Sequence, residues 1–134
     1  MKINKFEDLD IWKLSLVITK EIYDLSSQPG FSKDFELKNQ IRRAVISISS
    51  NIVEGFERNN NNEFIRFLKI SKGSCGEVKN QLYIALTIKY MGQAEFDNIN
   101  NKIDNLLNQI GKFITYLIDK RRKGEFINKN PLTR

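Results

Sequence analysis

Few residues in this chain are equipped for chemistry, and their types point away from catalysis. No histidine occurs among the 134 residues. That removes Ser-His-Asp and Cys-His nucleophiles, histidine ligation of zinc and the Glu-x-x-His pairs of di-iron bundles. The one cysteine, Cys75, has no partner for an internal disulfide and sits among small residues in a helical stretch, where a thiol packs as a small hydrophobe. Glu54 and Glu77 are the carboxylates to weigh as a pair, but no spacing brings them together, and no Gly-rich loop is present to cradle a phosphate. A non-enzymatic protein is expected, without metal, cofactor or small-molecule substrate. What remains is positive charge, a net +6 with a pI near 9.5.

The charge is clustered. Residues 1–37 and 90–111 are each net −2, whereas 38–89 and 112–134 are each net +5. Arg66, Lys69, Lys72 and Lys79 share one arc of a helix, opposite an apolar stripe of Phe64, Phe67, Leu68, Cys75, Val78, Leu82 and Ala85. Lys120, Arg121, Arg122 and Lys123 form a second basic block in "DKRRKG", where cations also suit the negative end of a helix dipole. One reading is a solvated face with helix capping. The other is a surface for RNA or DNA, gripping phosphates by counterion release. The chain carries no RNA-recognition signature, zinc knuckle or cold-shock motif, so such binding would be weakly sequence-specific. A protein-interaction scaffold docking an acidic partner is the alternative.

The elements that must position these groups are helices. Apolar residues recur at spacings of three and four between breaks at "SSQPGFS", "ERNNNN" and "MGQAE", and no stretch alternates as a strand would. The spacing predicts helices over 9–27, 32–57, 61–90 and 94–123, with a tail at 124–134. Ser32 is the expected cap of the second helix, and Asn60 with Glu63 has the spacing of a capping box for the third. Short connections favour antiparallel neighbours, so the expected fold is all-α, an up-down-up-down four-helix bundle in one domain, 1–134. No run is apolar enough for a membrane span or signal peptide, and the expected location is the cytoplasm.

Helix two is the unusual element. Leu37, Ile41, Ala44, Val45, Ile48 and Ile52 make a core stripe, yet Phe35, Ile46 and Val53 line a separate side among Arg42, Ser49 and Ser50. Scattered exposed apolar residues are ordinary. Aligned ones rimmed by polar groups mark a contact, and serines let another helix approach, so self-association is expected there. Arg43, Glu54 and Glu77 border the same region, either as plain surface or as a hydrogen-bonded polar seam with Gln40, Arg42 or Asn51. Gly73 and Gly76, inside the third helix, are expected at close helix contacts, and Gly55 at a close contact or a bend.

Three stretches, "FEDLDIWKLSLVITKEIYDLS", "ELKNQIRRAVISISSNIVEGFER" and "EFIRFLKISKGSCGEV", resemble the bacterial four-helix-bundle proteins encoded by intervening sequences in 23S ribosomal RNA genes. The resemblance spans roughly Phe6 to Leu117. It rests on Phe6, Leu9, Trp12 and Tyr23, on Gln40, Arg42, Arg43, Ala44, Ser47, Asn51, Ile52, Glu54, Gly55 and Arg58, and on Glu63, Phe64, Phe67, Leu68, Gly73, Ser74 and Glu77. Ser49, Cys75 and Gly76 depart from the family's usual residues. The resemblance implies a bundle that assembles into a ring, commonly a pentamer, with no established catalytic activity. A similar branch, the accessory variability proteins of diversity-generating retroelements, implies nucleic acid and a reverse transcriptase as partner classes.

Overall fold

A computed structural model describes residues 3–125 of the chain. Its helices are α1 Asp10–Ser26, α2 Phe35–Glu57, α3 Asn61–Ile88 and α4 Gln93–Arg122, with 3₁₀ turns at Phe6–Asp8 and Phe31–Lys33. They pack as an antiparallel four-helix bundle in which α2 and α3 make the most extensive contact. Of the expected tail, residues 126–134 lie outside the described residues.

The starts of α2 and α3 follow local capping chemistry, with one correction. α2 begins at Phe35 and not at Ser32, because Phe31 is fully buried and stacks on Tyr90 at 5.4 Å, which holds Phe31–Lys33 in a 3₁₀ turn. Asp34 is the cap instead, accepting from Leu37 N at 3.0 Å. Its second oxygen accepts from the Tyr90 hydroxyl at 2.9 Å. The Leu37 amide, with help from Tyr90, holds the Asp34 carboxyl below its ordinary range. Asn60 caps α3 by accepting from Glu63 N at 3.0 Å. The reciprocal half of that capping box is absent, because the Glu63 carboxylate turns to Arg66 at 3.0 Å. α3 stops at Ile88, where Lys89 adopts a left-handed φ of 73° and Tyr90 N donates back to Ala85 O at 2.8 Å.

One continuous core joins all four helices. The α2 stripe of Leu37, Ile41, Ala44, Val45, Ile48 and Ile52 is buried throughout, as are Phe96, Ile99, Ile103, Leu106, Ile110, Ile114 and Leu117 of α4. Leu107, Phe113 and Ile118 pack at the edge of this core, so the arc buried on α4 is narrower than its apolar pattern. Leu16 and Val17 of α1 are exposed and lie outside this core.

The glycines divide in a way the sequence pattern does not show. Among the helical glycines, Gly55 is the one at a close helix approach: a Cβ there would lie 2.7 Å from Phe67 Cβ and 3.0 Å from Phe64 Cδ1. Gly73 and Gly76, expected at close contacts, face open space, with nothing within 4 Å of an added Cβ. Cys75 packs in the core, fully buried, and burial pushes its thiol up to about 12. At neutral pH the thiolate is therefore essentially absent in the folded chain. Cys75 should resist a thiol-specific reagent in buffer and react completely in denaturant. Rapid labelling of the folded protein would contradict its placement.

Candidate functional site

The basic residues of α3 do not act as one set. Arg66 donates to Glu63 at 3.0 Å and lies over the Phe67 ring, 4.4 Å from its centroid. The hydrogen bond raises the Arg66 guanidinium and lowers the Glu63 carboxyl from their ordinary values. Lys79 crosses to Asp104 of α4 at 2.5 Å. Lys69 and Lys72 are exposed and pair with no carboxylate among the described residues. Across the α3–α4 junction stands Lys112, also exposed and without a carboxylate partner, which was hidden in the basic total of residues 112–134. Lys72 and Lys112 line an open groove of about 530 Å³ together with Leu107, Asn108, Gly111 and Thr115.

At the end of α4 the second basic block is largely neutralised. Lys120 donates to Glu125 at 2.7 Å, and Lys123 pairs with Asp119 at 3.1 Å. The first contact raises the Lys120 ammonium and lowers the Glu125 carboxyl. Arg121 donates to Asn62 Oδ1 at 2.8 Å, and Arg122 has no acidic partner among the described residues. Within α3 and the last turns of α4 the cations with no acidic partner among the described residues are therefore Lys69, Lys72, Lys112, Arg121 and Arg122; elsewhere Arg43 and several lysines have none either.

Exposed apolar residues occur on α1 at Leu16 and Val17, on the α4 side of α3 at Tyr83 against Phe96, and on the outer sides of α2 and α3. Phe35 is 67% exposed and Ile46 45%, and Val53 is half-buried on the same side of α2. The helical pattern of α3 conceals three more, Ile70, Ile84 and Ile88, all exposed. Ser71 donates to Ile48 O at 2.8 Å and Ser47 meets Ser74 at 2.9 Å, which fixes the α2–α3 seam. At about 100° per residue, Ile70, Ile84 and Ile88 fall on the outer side of Ser74; by the antiparallel register of the Ser47–Ser74 and Ser71–Ile48 bonds, Ile70 is level with Ser50, and Ile84 and Ile88 are level with the start of α2. Their spacing of 14 and 4 residues was a readable signal. Gln81 sits on the same flank, 7% exposed, with its Oε1 unpartnered among the described residues.

The polar residues of this region are arranged otherwise than expected. Arg42 is turned inward to α1, donating to Ser26 Oγ at 2.8 Å, Ser27 Oγ at 3.0 Å and Tyr23 O at 3.3 Å while lying over the Tyr23 ring. It ties α1 to α2 in its own bundle and stays half-buried at the edge of the outer side of α2. Glu54 pairs along its own helix with Arg58 at 3.0 Å. The seam is built instead from Ser47, Asn51 and Ser74, with Asn51 Nδ2 donating to Ser47 O at 2.8 Å. Ser49 donates to Ile46 O at 3.3 Å, whereas Arg43, Ser50 and Glu77 remain exposed.

Among the described residues no group of three or more Cys, Asp or Glu is placed to hold a metal ion, and no helix is long and apolar enough to cross a membrane. No curated protein matches the chain. A solved structure, described as a protein of unknown function from the S23 ribosomal protein family of Bacteroides thetaiotaomicron VPI-5482, is 23% identical to it, with a TM-score of 0.71 over 78% of this chain and 97% of that one. At that identity the likeness concerns the fold. The description "23S rRNA-intervening sequence protein" matches residues 7–112, most of the chain. With four helices, no strand among the described residues and this match, the chain belongs to the family of 23S rRNA-intervening sequence proteins.

Proposed function

We propose that this is a non-catalytic, ring-forming cytoplasmic protein, pentameric as its family resemblance implies, that binds RNA or DNA through phosphate contacts. The observation that carries the reading is the separation of two faces. Unpaired Lys69, Lys72 and Lys112 stand at the α3–α4 side, and exposed Phe35, Ile46, Ile70, Ile84 and Ile88 stand around the α2–α3 seam. Assembly through the apolar face leaves the basic one open. A ring repeats that basic patch in every subunit, which multiplies its attraction for a phosphate backbone.

The internal pairing of Arg66, Lys79, Lys120 and Lys123 supports a second reading. With these cations compensated, the protein is a scaffold whose remaining charge docks an acidic protein, such as a reverse transcriptase. Competition separates the two. Labelled RNA bound to the assembly should be displaced by RNA or DNA at lower concentration than by heparin or polyglutamate of matched charge. Equal displacement by all of them, from weak binding, favours the scaffold.

A further inference from the structure

The isolated bundle leaves two apolar surfaces uncovered, and they lie on different sides of it. α1 and α3 each pack against α2 and α4, so they occupy diagonal corners. The first surface is the outer side of the α2–α3 seam, with Ile46, Ile70 and Ile84 exposed. Arg43 and Glu77 stand there at one height, set by the Ser47–Ser74 and Ser71–Ile48 bonds, yet neither has an ion-pair partner among the described residues. One turn from Glu77, Gln81 is buried with its Oε1 unsatisfied among the described residues, an acceptor that a neighbour's donor would satisfy. The second surface is the outer side of α1, where Leu16 and Val17 are exposed beside Lys13, Lys20 and Asp24.

The two surfaces match in height and in charge. Both α1 and α3 run antiparallel to α2, and every helix rises about 1.5 Å per residue. The Arg42 bonds to Tyr23 O and Ser26 Oγ set α1 against α2. They bring Leu16 and Val17 close to the level of Ser50 and so of Ile70, and Lys20 and Asp24 to within about a turn of Arg43 and Glu77. Rotation about an axis parallel to the bundle leaves every height unchanged. The next copy in a ring therefore carries Leu16 and Val17 to Ile46 and Ile70, and Lys20 and Asp24 to Glu77 and Arg43. The Lys20–Asp24 pair, with side chains 78% and 63% exposed, is held weakly enough to exchange partners. A closed ring of more than two identical subunits needs two different surfaces on each, whereas a two-fold pair would join the seam to itself and leave α1 uncovered. We propose that the joint is head-to-tail, with the outer side of α1 in one copy seated on the α2–α3 seam of the next. The proposal rests on the ring reading above and names the two halves of its contact.

Cross-linking of the full-length protein with a short bis-maleimide tests it, because buried Cys75 stays silent in the folded chain. Val17→Cys with Ile70→Cys in one chain is expected to give covalent species at successive multiples of 15.7 kDa on a denaturing gel, up to the full ring. Each single variant should stay at the monomer position. Leu16→Cys with Ile46→Cys is the second pair, used if the first lowers the assembled mass. A covalent dimer from Ile70→Cys alone would mean that the seam meets itself, and one from Val17→Cys alone that α1 does; either overturns the joint. Variants of wild-type mass that give no cross-link from either pair overturn it as well. Leu16→Asp with Val17→Asp should reduce the assembly to monomers of unchanged helicity, and wild-type mass for that variant removes α1 from the contact. If the wild type itself sediments as a monomer, the ring reading fails.

Discussion

Gly55→Val is expected to cost the bundle about 3 kcal/mol, the upper part of the usual range for overpacking a core. The overlap is with atoms that cannot swing aside. Phe67 Cβ, 2.7 Å from the added carbon, is fixed to the α3 backbone, and Phe64 contributes Cδ1 at 3.0 Å and its Cα at 3.4 Å. Relief requires α2 and α3 to separate, which would loosen the Phe56–Phe64 edge contact at 5.9 Å and the Ser71 bond to Ile48 O. Gly55→Ala isolates the clash, since alanine gains about 1 kcal/mol of helix propensity against a similar or larger steric cost. Urea unfolding should show the alanine variant neutral to about 2 kcal/mol weaker and the valine variant weaker still, at unchanged slope. Stabilisation by both would mean that the two helices are not this close.

The second large effect is on assembly. Ile46→Asp together with Val53→Asp should convert the proposed ring into 15.7 kDa monomers of unchanged helicity. Both positions lie on the outer side of α2, away from the Leu37–Ile52 core stripe, with Ile46 exposed and Val53 half-buried, so the charges fall outside the bundle's own core. In a subunit contact each carboxylate would be desolvated without a partner, at a cost of several kcal/mol. A ring repeats that cost at every joint. Ile84→Asp should act in the same direction, and Asn101→Asp, exposed on α4, should leave the mass unaltered. Sedimentation velocity at micromolar concentration reads all of these. A wild-type monomer would remove the assembly face from the account.

How much of this was legible depends on where each residue's partners lie. The buried stripes of α2 and α4 were readable because a helix docked on one core writes its contacts into its own period. The start of α2 was not, because Phe31 is held by Tyr90, nearly sixty residues away in sequence, and that contact displaces the cap from Ser32 to Asp34. Gly55, Gly73 and Gly76 look alike in a helical pattern, and only the α2–α3 packing distinguishes the crowded one. Among the cations, the Glu63–Arg66 pairing could have been read from its spacing of three. The Lys79–Asp104 pair could not, since it depends on the register of α3 against α4. Lys112 went unnoticed for the same reason: its significance lies in standing opposite Lys72. Arg42 sits among the outward apolar residues on a wheel, but its reach lets it fold back to the serines of α1.

Binding of nucleic-acid phosphates by the free lysines at the α3–α4 side, as proposed, is tested most directly by its salt dependence. Affinity for a single-stranded RNA should be measured from low to physiological salt. The wild type would be compared with Lys69→Gln/Lys72→Gln/Lys112→Gln and with Arg66→Gln/Lys79→Gln. The triple variant should bind more weakly, with a log–log slope shallower by about two units for each subunit in contact, at roughly 0.7 per lost phosphate contact on a single strand. The double variant removes cations already paired with Glu63 and Asp104, so it should change the slope little. Identical affinity and slope for the triple variant and the wild type, with mass and helicity preserved, would contradict the account.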